Sequence, residues 1–260
     1  MGFEGFRSDL GFFLQDCLHP VNPAARIVTD LWQPVARRLG TRETATSEML
    51  LALHKPYGML SQFTPDRDGQ LTLASCGFPP EVYPLGRLDL DSEGLLLLSD
   101  EPGLNTCLLD PRNAHPRTYH AQVEGAIQED ALNRLRRGGL VIDGHRSLPC
   151  SARQISPAHP DRDPPIRHRV SIPTSWIELT LIEGKNRQVR RMTAAVGFPT
   201  LRLIRVAILD LTLAGSGLAP GQWRELSDKE RGLLSPVNDT GLPASSRKPG
   251  KHFRKGKGKR

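Results

Sequence analysis

Arg117-Thr118-Tyr119-His120-Ala121-Gln122-Val123-Glu124 alternates without a break: Tyr119, Ala121 and Val123 fall on one face, Thr118, His120, Gln122 and Glu124 on the other. That period of two is the pattern of a half-buried strand. Downstream, Glu129 to Arg137 reads as a helix stopped by Gly138 and Gly139, and Leu140 to Ile155 as a hairpin turning at Asp143-Gly144. A loop over 156–169 with four prolines leads to a second alternating strand from Trp176 to Ile182, a helix from Asn186 to Val196 and a strand from Leu201 to Ile208. Upstream, Leu50 to His54 is a strand closed by Pro56 and Gly58, with Met59 to Phe63 its expected partner. Leu95 to Ser99 has the length of a buried strand, and Leu104 to Leu109 forms one or two helical turns ended at Pro111. Hairpins and helices without regular β-α alternation predict an α+β domain on a mixed, mostly antiparallel sheet with flanking helices.

Composition bounds the rest. Of 260 residues, 35 are Lys or Arg and 28 are Asp or Glu. Eight of the basic residues lie between Arg247 and Arg260 without an acid, which leaves 27 against 28 for the remainder. Residues 231–260 therefore read as a disordered basic tail with loose affinity for polyanions. Residues 1–48 read as an N-terminal extension of unassigned role with a helix from Ile27 to Leu39, and 49–230 as the folded domain. The longest apolar run, Leu95 to Leu98, is far short of the roughly 20 residues of a membrane span. No secretory signal is evident, and the four cysteines form no C-x-x-C pair, so reduced thiols, no metal and a cytoplasmic location are expected.

Two stretches carry chemistry. Gly86-Arg87-Leu88-Asp89-Leu90-Asp91-Ser92-Glu93-Gly94 crowds acids into a turn that feeds a buried strand, a common place for catalytic groups. A solvated acidic turn is the plain alternative. Calcium is another, since Asp89, Asp91, Glu93, Gly94 and Asp100 have EF-hand-like spacing, although position twelve is Asp and no entering helix precedes them. In the second stretch, Glu183-Gly184-Lys185-Asn186-Arg187-Gln188-Val189-Arg190-Arg191-Met192, helical spacing puts Arg187, Arg190 and Arg191 on one face. Lys185 to Arg205 holds six basic residues and no acid. Such a cluster repels itself unless an anion compensates it, and planar guanidinium groups suit phosphate, so RNA is favoured over a merely solvated face.

Together these stretches resemble the ribosomal-RNA pseudouridine synthases of the RsuA, RluB, RluE and RluF group. The resemblance rests on His54-Lys55-Pro56-Tyr57-Gly58, Gly86-Arg87-Leu88-Asp89 with Ser92-Glu93-Gly94-Leu95, Arg117-Thr118-Tyr119, the Glu183–Met192 stretch and Pro220-Gly221-Gln222-Trp223-Arg224, in family order. The absence of a legible leading RNA-binding domain points to the single-domain branch typified by RluE. The resemblance implies the pseudouridine synthase fold with a central RNA-binding cleft, no cofactor, a monomer, and 23S ribosomal RNA as partner. It implies that Asp89 is the nucleophile that detaches uracil so the base can turn and rejoin through C5. It makes Arg190 the cation paired with Asp89, and Tyr119 the group that stacks on the base and assists proton removal. Arg87, Lys185, Arg187, Arg191 and Lys55 become the RNA-binding residues. Two departures stand out: Arg117 replaces a common Lys, and Leu209 occupies a place where Gly often follows Ile208. A non-catalytic RNA-binding or ribosome-assembly protein is the alternative.

Overall fold

Seven consecutive residues, Glu93–Ser99, are all buried and form the strand about which the sheet is organised. The computed structural model describes residues 48–234 apart from 168 and 170. The expected helix at Ile27 to Leu39 and the basic tail lie outside the described residues.

In chain order the N-terminal strands are β1 (Leu50–Lys55), β2 (Met59–Leu60), β3 (Leu71–Thr72), β4 (Tyr83–Pro84) and β5 (Glu93–Ser99). Helix α1 (Leu104–Leu109), β6 (Arg117–Glu124) and α2 (Glu129–Arg137) follow, then β7 (Val141–Ile142), β8 (His145–Arg146), β9 (Ser151–Ile155) and β10 (Thr174–Leu181). The chain continues through α3 (Gln188–Ala195), β11 (Thr200–Ile208), β12 (Leu211–Thr212), α4 (Leu213–Ser216), β13 (Trp223–Glu225) and α5 (Asp228–Gly232). The main sheet runs β13-β1-β5-β11-β6-β10-β9, with β12 added to β11 and β4 to β5. Its one parallel pairing among the described residues is β5 with β11, where Ile204 lies opposite Glu93 and Arg205 opposite Gly94. The α+β, mostly antiparallel architecture expected from the sequence is the one observed.

Three local expectations are corrected. Met59–Leu60 does not return along β1 but pairs in parallel with Leu71–Thr72. Both edges of β1 are taken instead by β5 and β13, and Leu50–Leu53 are buried by packing on both faces. The Asp143-Gly144 hairpin forms only between β7 and β8, and β9 leaves it to pair with β10. Helix α3 starts at Gln188, because Arg187 is left-handed at φ 49° and sits before the first turn.

Apolar side chains fill both faces. Helices α2 and α3 cover β6 and β10 through Leu132, Leu135, Val189 and Met192 against Ala121, Ile177 and Leu179. Leu51, Leu53, Leu96 and Leu98 pack with Met59 and Leu73, while Leu50, Leu95, Leu97 and Ile204 pack with Leu213 on the opposite side. At Gly94 the β11 backbone lies directly against β5. This glycine has φ 106°, and a Cβ there would lie 2.3 Å from the Arg205 carbonyl oxygen, so only glycine permits this pairing.

Candidate active site

The turn Leu88–Ser92 enters β5 under tight backbone control. The Ser61 hydroxyl both donates to the Leu88 carbonyl and accepts from its N–H, at 2.8 and 3.1 Å, and Ser92 N–H donates to the Asp89 carbonyl at 3.0 Å. Gly58 N–H donates to the Leu90 carbonyl at 2.9 Å, which seats the turn after β1 directly against the residue following Asp89. The carboxylates of Asp89 and Asp91 are about a third exposed.

Helix α3 delivers its cations to this turn. The Glu183 carboxylate, buried, accepts from Leu148 N–H and His145, and the Gln188 side chain accepts from Lys185 N–H at 2.9 Å. These bonds fix the Gly184–Arg187 segment ahead of the helix. Arg187 then grips Asp91 with two parallel bonds of 2.9 and 2.7 Å and reaches Asp89 at 3.5 Å. Arg190 donates to the Asp91 carbonyl at 2.6 Å and lies 3.5 Å from its carboxylate. Burial opposes ionisation of Asp91, but the Arg187 bonds and the charges of Arg190 and Arg187 outweigh it and lower its pKa. Burial pushes Arg190 down, against the attraction of Asp91 and Asp89, and its Nε has no hydrogen-bond partner.

The expected direct ion pair between Arg190 and Asp89 is therefore not formed. Arg190 spends its Nη2 on the Asp91 backbone carbonyl, and Arg187 is the guanidinium nearest Asp89. Arg191 is not grouped with Arg187 either: it pairs with Asp143 in the β7–β8 turn and bonds Asn186. Lys55 cannot meet RNA from its present position. Its side chain has 0% exposure, and its ammonium donates to the carbonyls of Ser92 and Pro56 at 2.7 and 3.0 Å, making it an internal strut under the Asp89 turn. Lys185 and Arg87 are exposed, the latter touching Gln62 at 3.3 Å.

Tyr119 projects from β6 beside the Ala121 and Leu179 cluster, as the alternation requires. It lies opposite Arg205, which lies opposite Gly94, so the tyrosine and the acidic turn share one level of the sheet. Arg205 itself was not singled out by the sequence as anything but one of six cations. It is buried, donates Nε to the Leu95 carbonyl at 2.7 Å, and its guanidinium also interacts with the Tyr119 side chain. Asp91 was likewise missed as the main holder of both arginines, although the acid-rich turn was the signal.

The cationic strip is thus compensated largely from within. Asp91 takes Arg187 and Arg190, Asp143 takes Arg191, and buried Glu93 takes Arg202 with two bonds of 2.9 and 2.8 Å. The same contacts overturn the calcium reading, because Asp91 and Glu93 are occupied by guanidinium groups and Glu93–Ser99 is a strand rather than a binding loop. Asp100 accepts from Met49 N–H instead of closing a cation site.

The sheet thus holds an Asp-bearing turn against an Arg-bearing helix, with a tyrosine at the same level. Residues 49–195 match the RNA pseudouridylate synthase family, and the chain belongs to that family. It is 54% identical to ribosomal large subunit pseudouridine synthase E of Xanthomonas axonopodis pv. citri over 66% of this chain and 90% of that protein. It is 49% identical to the protein of the same name from Vibrio parahaemolyticus, over 68% of this chain and 73% of the other. With ribosomal large subunit pseudouridine synthase B of Bacillus subtilis the identity is 34%, over 74% and 73%. A crystal structure of a pseudouridylate synthase superposes with TM-score 0.59 at 25% identity, covering 72% of this chain and 74% of that one.

Proposed function

We propose that this chain isomerises one uridine of 23S ribosomal RNA to pseudouridine with Asp89 as nucleophile. The observation that carries the reading is the Asp89 turn, pinned on β5 and faced by Arg187 at 3.5 Å, in a chain of this family. Nucleophilic attack uses the carboxylate oxygen, and the Arg187 guanidinium stands 3.5 Å from it. The Asp89 carboxylate bonds to the nucleotide and the C1′–N1 bond breaks; the freed uracil turns, C5 bonds to C1′, the bond to Asp89 breaks to restore the carboxylate, and the proton from C5 leaves as N1 gains one. Tyr119 stacks on the base and assists that proton transfer, and Arg190 shapes the turn through Asp91. Arg187, Arg87 and Lys185 hold phosphates around the extruded nucleotide, with Arg191 at the rim. A monomeric, cytoplasmic enzyme whose catalytic domain spans 49–230, acting without a cofactor, completes the reading.

The test is to map pseudouridine by carbodiimide adducts in ribosomal RNA from cells lacking the gene, complemented with wild type or Asp89→Asn. One 23S site should vanish in the deletion, return with wild type and stay absent with Asp89→Asn. Full modification by Asp89→Asn would remove the nucleophile assignment, and an unchanged map in the deletion would favour a non-catalytic RNA-binding protein.

A further inference from the structure

The proline-rich segment around Pro160 is absorbed by none of the chemistry above, yet one of its residues anchors on the sheet and two connect toward the Asp89 turn. The His159 ring packs on Trp176 at 5.2 Å and lies 2.8 Å, Nε2 to Nδ1, from His120 on β6. The Pro160 carbonyl accepts from Arg202 Nη1 at 2.7 Å, and the same guanidinium pairs with Glu93, four residues after Asp89. Two residues further on, Arg162 lies over the ring of Tyr57, with Cζ 3.8 Å from the centroid.

The plane of that guanidinium is fixed as well as stacked. Arg162 Nε donates to the Pro164 carbonyl at 2.8 Å and Nη2 to the Pro165 carbonyl at 3.1 Å, so its own loop clamps one edge. Tyr57 immediately precedes Gly58, whose N–H bonds the Leu90 carbonyl. The stack therefore abuts the turn that bears Asp89.

Resting on the isomerase reading, we propose that Arg162 on Tyr57 is a stacking platform for the unpaired nucleobase next to the target uridine. Extruding a uridine deprives its neighbours of stacking partners, and a planar cation backed by an aromatic ring replaces one of them. Because Pro164, Pro165 and Tyr57 hold the plane before RNA arrives, little ordering is needed on binding. Arg162 is a positioning and specificity residue: it touches the RNA strand but not the reacting atoms.

The probe is a 23S ribosomal RNA transcript, and the variants are Arg162→Ala and Arg162→Lys. Both should raise KM and the transcript dissociation constant by roughly tenfold and leave kcat intact, because lysine keeps the charge but lacks the plane. With an abasic residue beside the mapped uridine, wild type and Arg162→Ala should bind equally. Recovery by lysine would make Arg162 a phosphate contact, and either unchanged affinity in Arg162→Ala or a full penalty on abasic RNA would overturn the platform. If wild type forms no pseudouridine, the isomerase reading falls, while the affinity comparison of the three proteins on the same transcript still decides the platform.

Discussion

Lys55 carries a charge with no access to solvent, and burial drives its pKa from 10.5 down to about 8 despite attraction from Glu93, Asp91 and Asp89. The folded value lies below the unfolded one, so between pH 8 and 10.5 the unfolded chain binds more protons and stability rises with pH. Below pH 8 the cost of the buried cation is fully present, and above 10.5 it is gone. At about 1.4 kcal/mol per pKa unit the effect of this group is about 3 kcal/mol. Urea unfolding of wild type and Lys55→Met at several pH values should show their stability difference moving in favour of wild type by that order across the window. A pH-independent difference would mean that Lys55 is not a desolvated cation. The motif around His54 and Pro56 was legible in the sequence, but the role of Lys55 was not. Exposure depends on β5 and the Ser92 carbonyl, which come from residues nearly forty positions away.

Among the elements, the decisive junction is β5 with β11. Glu93 and Arg202 meet there with side chains 5% and 6% exposed, and Arg202 reaches on to the Pro160 carbonyl. Removing one member of a buried pair leaves the other charged and unpaired, which costs about 3–5 kcal/mol. Glu93→Gln should therefore lower unfolding stability by that order, read from the denaturant midpoint. A loss below about 1 kcal/mol, the scale of an exposed pair, would show that Arg202 finds water. Strands with clear alternation, Arg117–Glu124 and Thr174–Leu181, were readable because each has one face on the helices. The partner of β1 was not, since a strand buried on both faces has no periodicity to reveal its neighbour. The unusual residue at Leu209 resolves simply: it adopts φ 51° and its N–H bonds the Pro116 carbonyl at 2.8 Å, so the backbone keeps a left-handed path in which glycine is easier.

Over the whole molecule, net charge is a poor guide to which cations lack an acidic partner. Internal acids take most of the strip from Lys185 to Arg205, whereas the eight basic residues of 247–260 have no acid among them. Each phosphate neutralised contributes roughly 0.7–0.9 to the slope of log affinity against log salt. Deleting 247–260 should flatten that slope for 23S transcript binding while the modified uridine stays the same, because phosphate contacts position without specifying. An unaltered slope would place the tail outside the complex, and a changed site would give it a role in recognition.

The sequence alone determined the fold class, the order of most elements, the family motifs and the pair of stretches that meet at the site, because local periodicity and turn chemistry act over a few residues. Only the tertiary structure decided how the charges are shared. It gave Arg187 rather than Arg190 to Asp89, withdrew Lys55 and Arg202 into the interior, and brought Arg162 onto Tyr57. Ion pairing falls off within a few ångströms and depends on burial, and residues about a hundred positions apart become neighbours only when β5 lies beside β11.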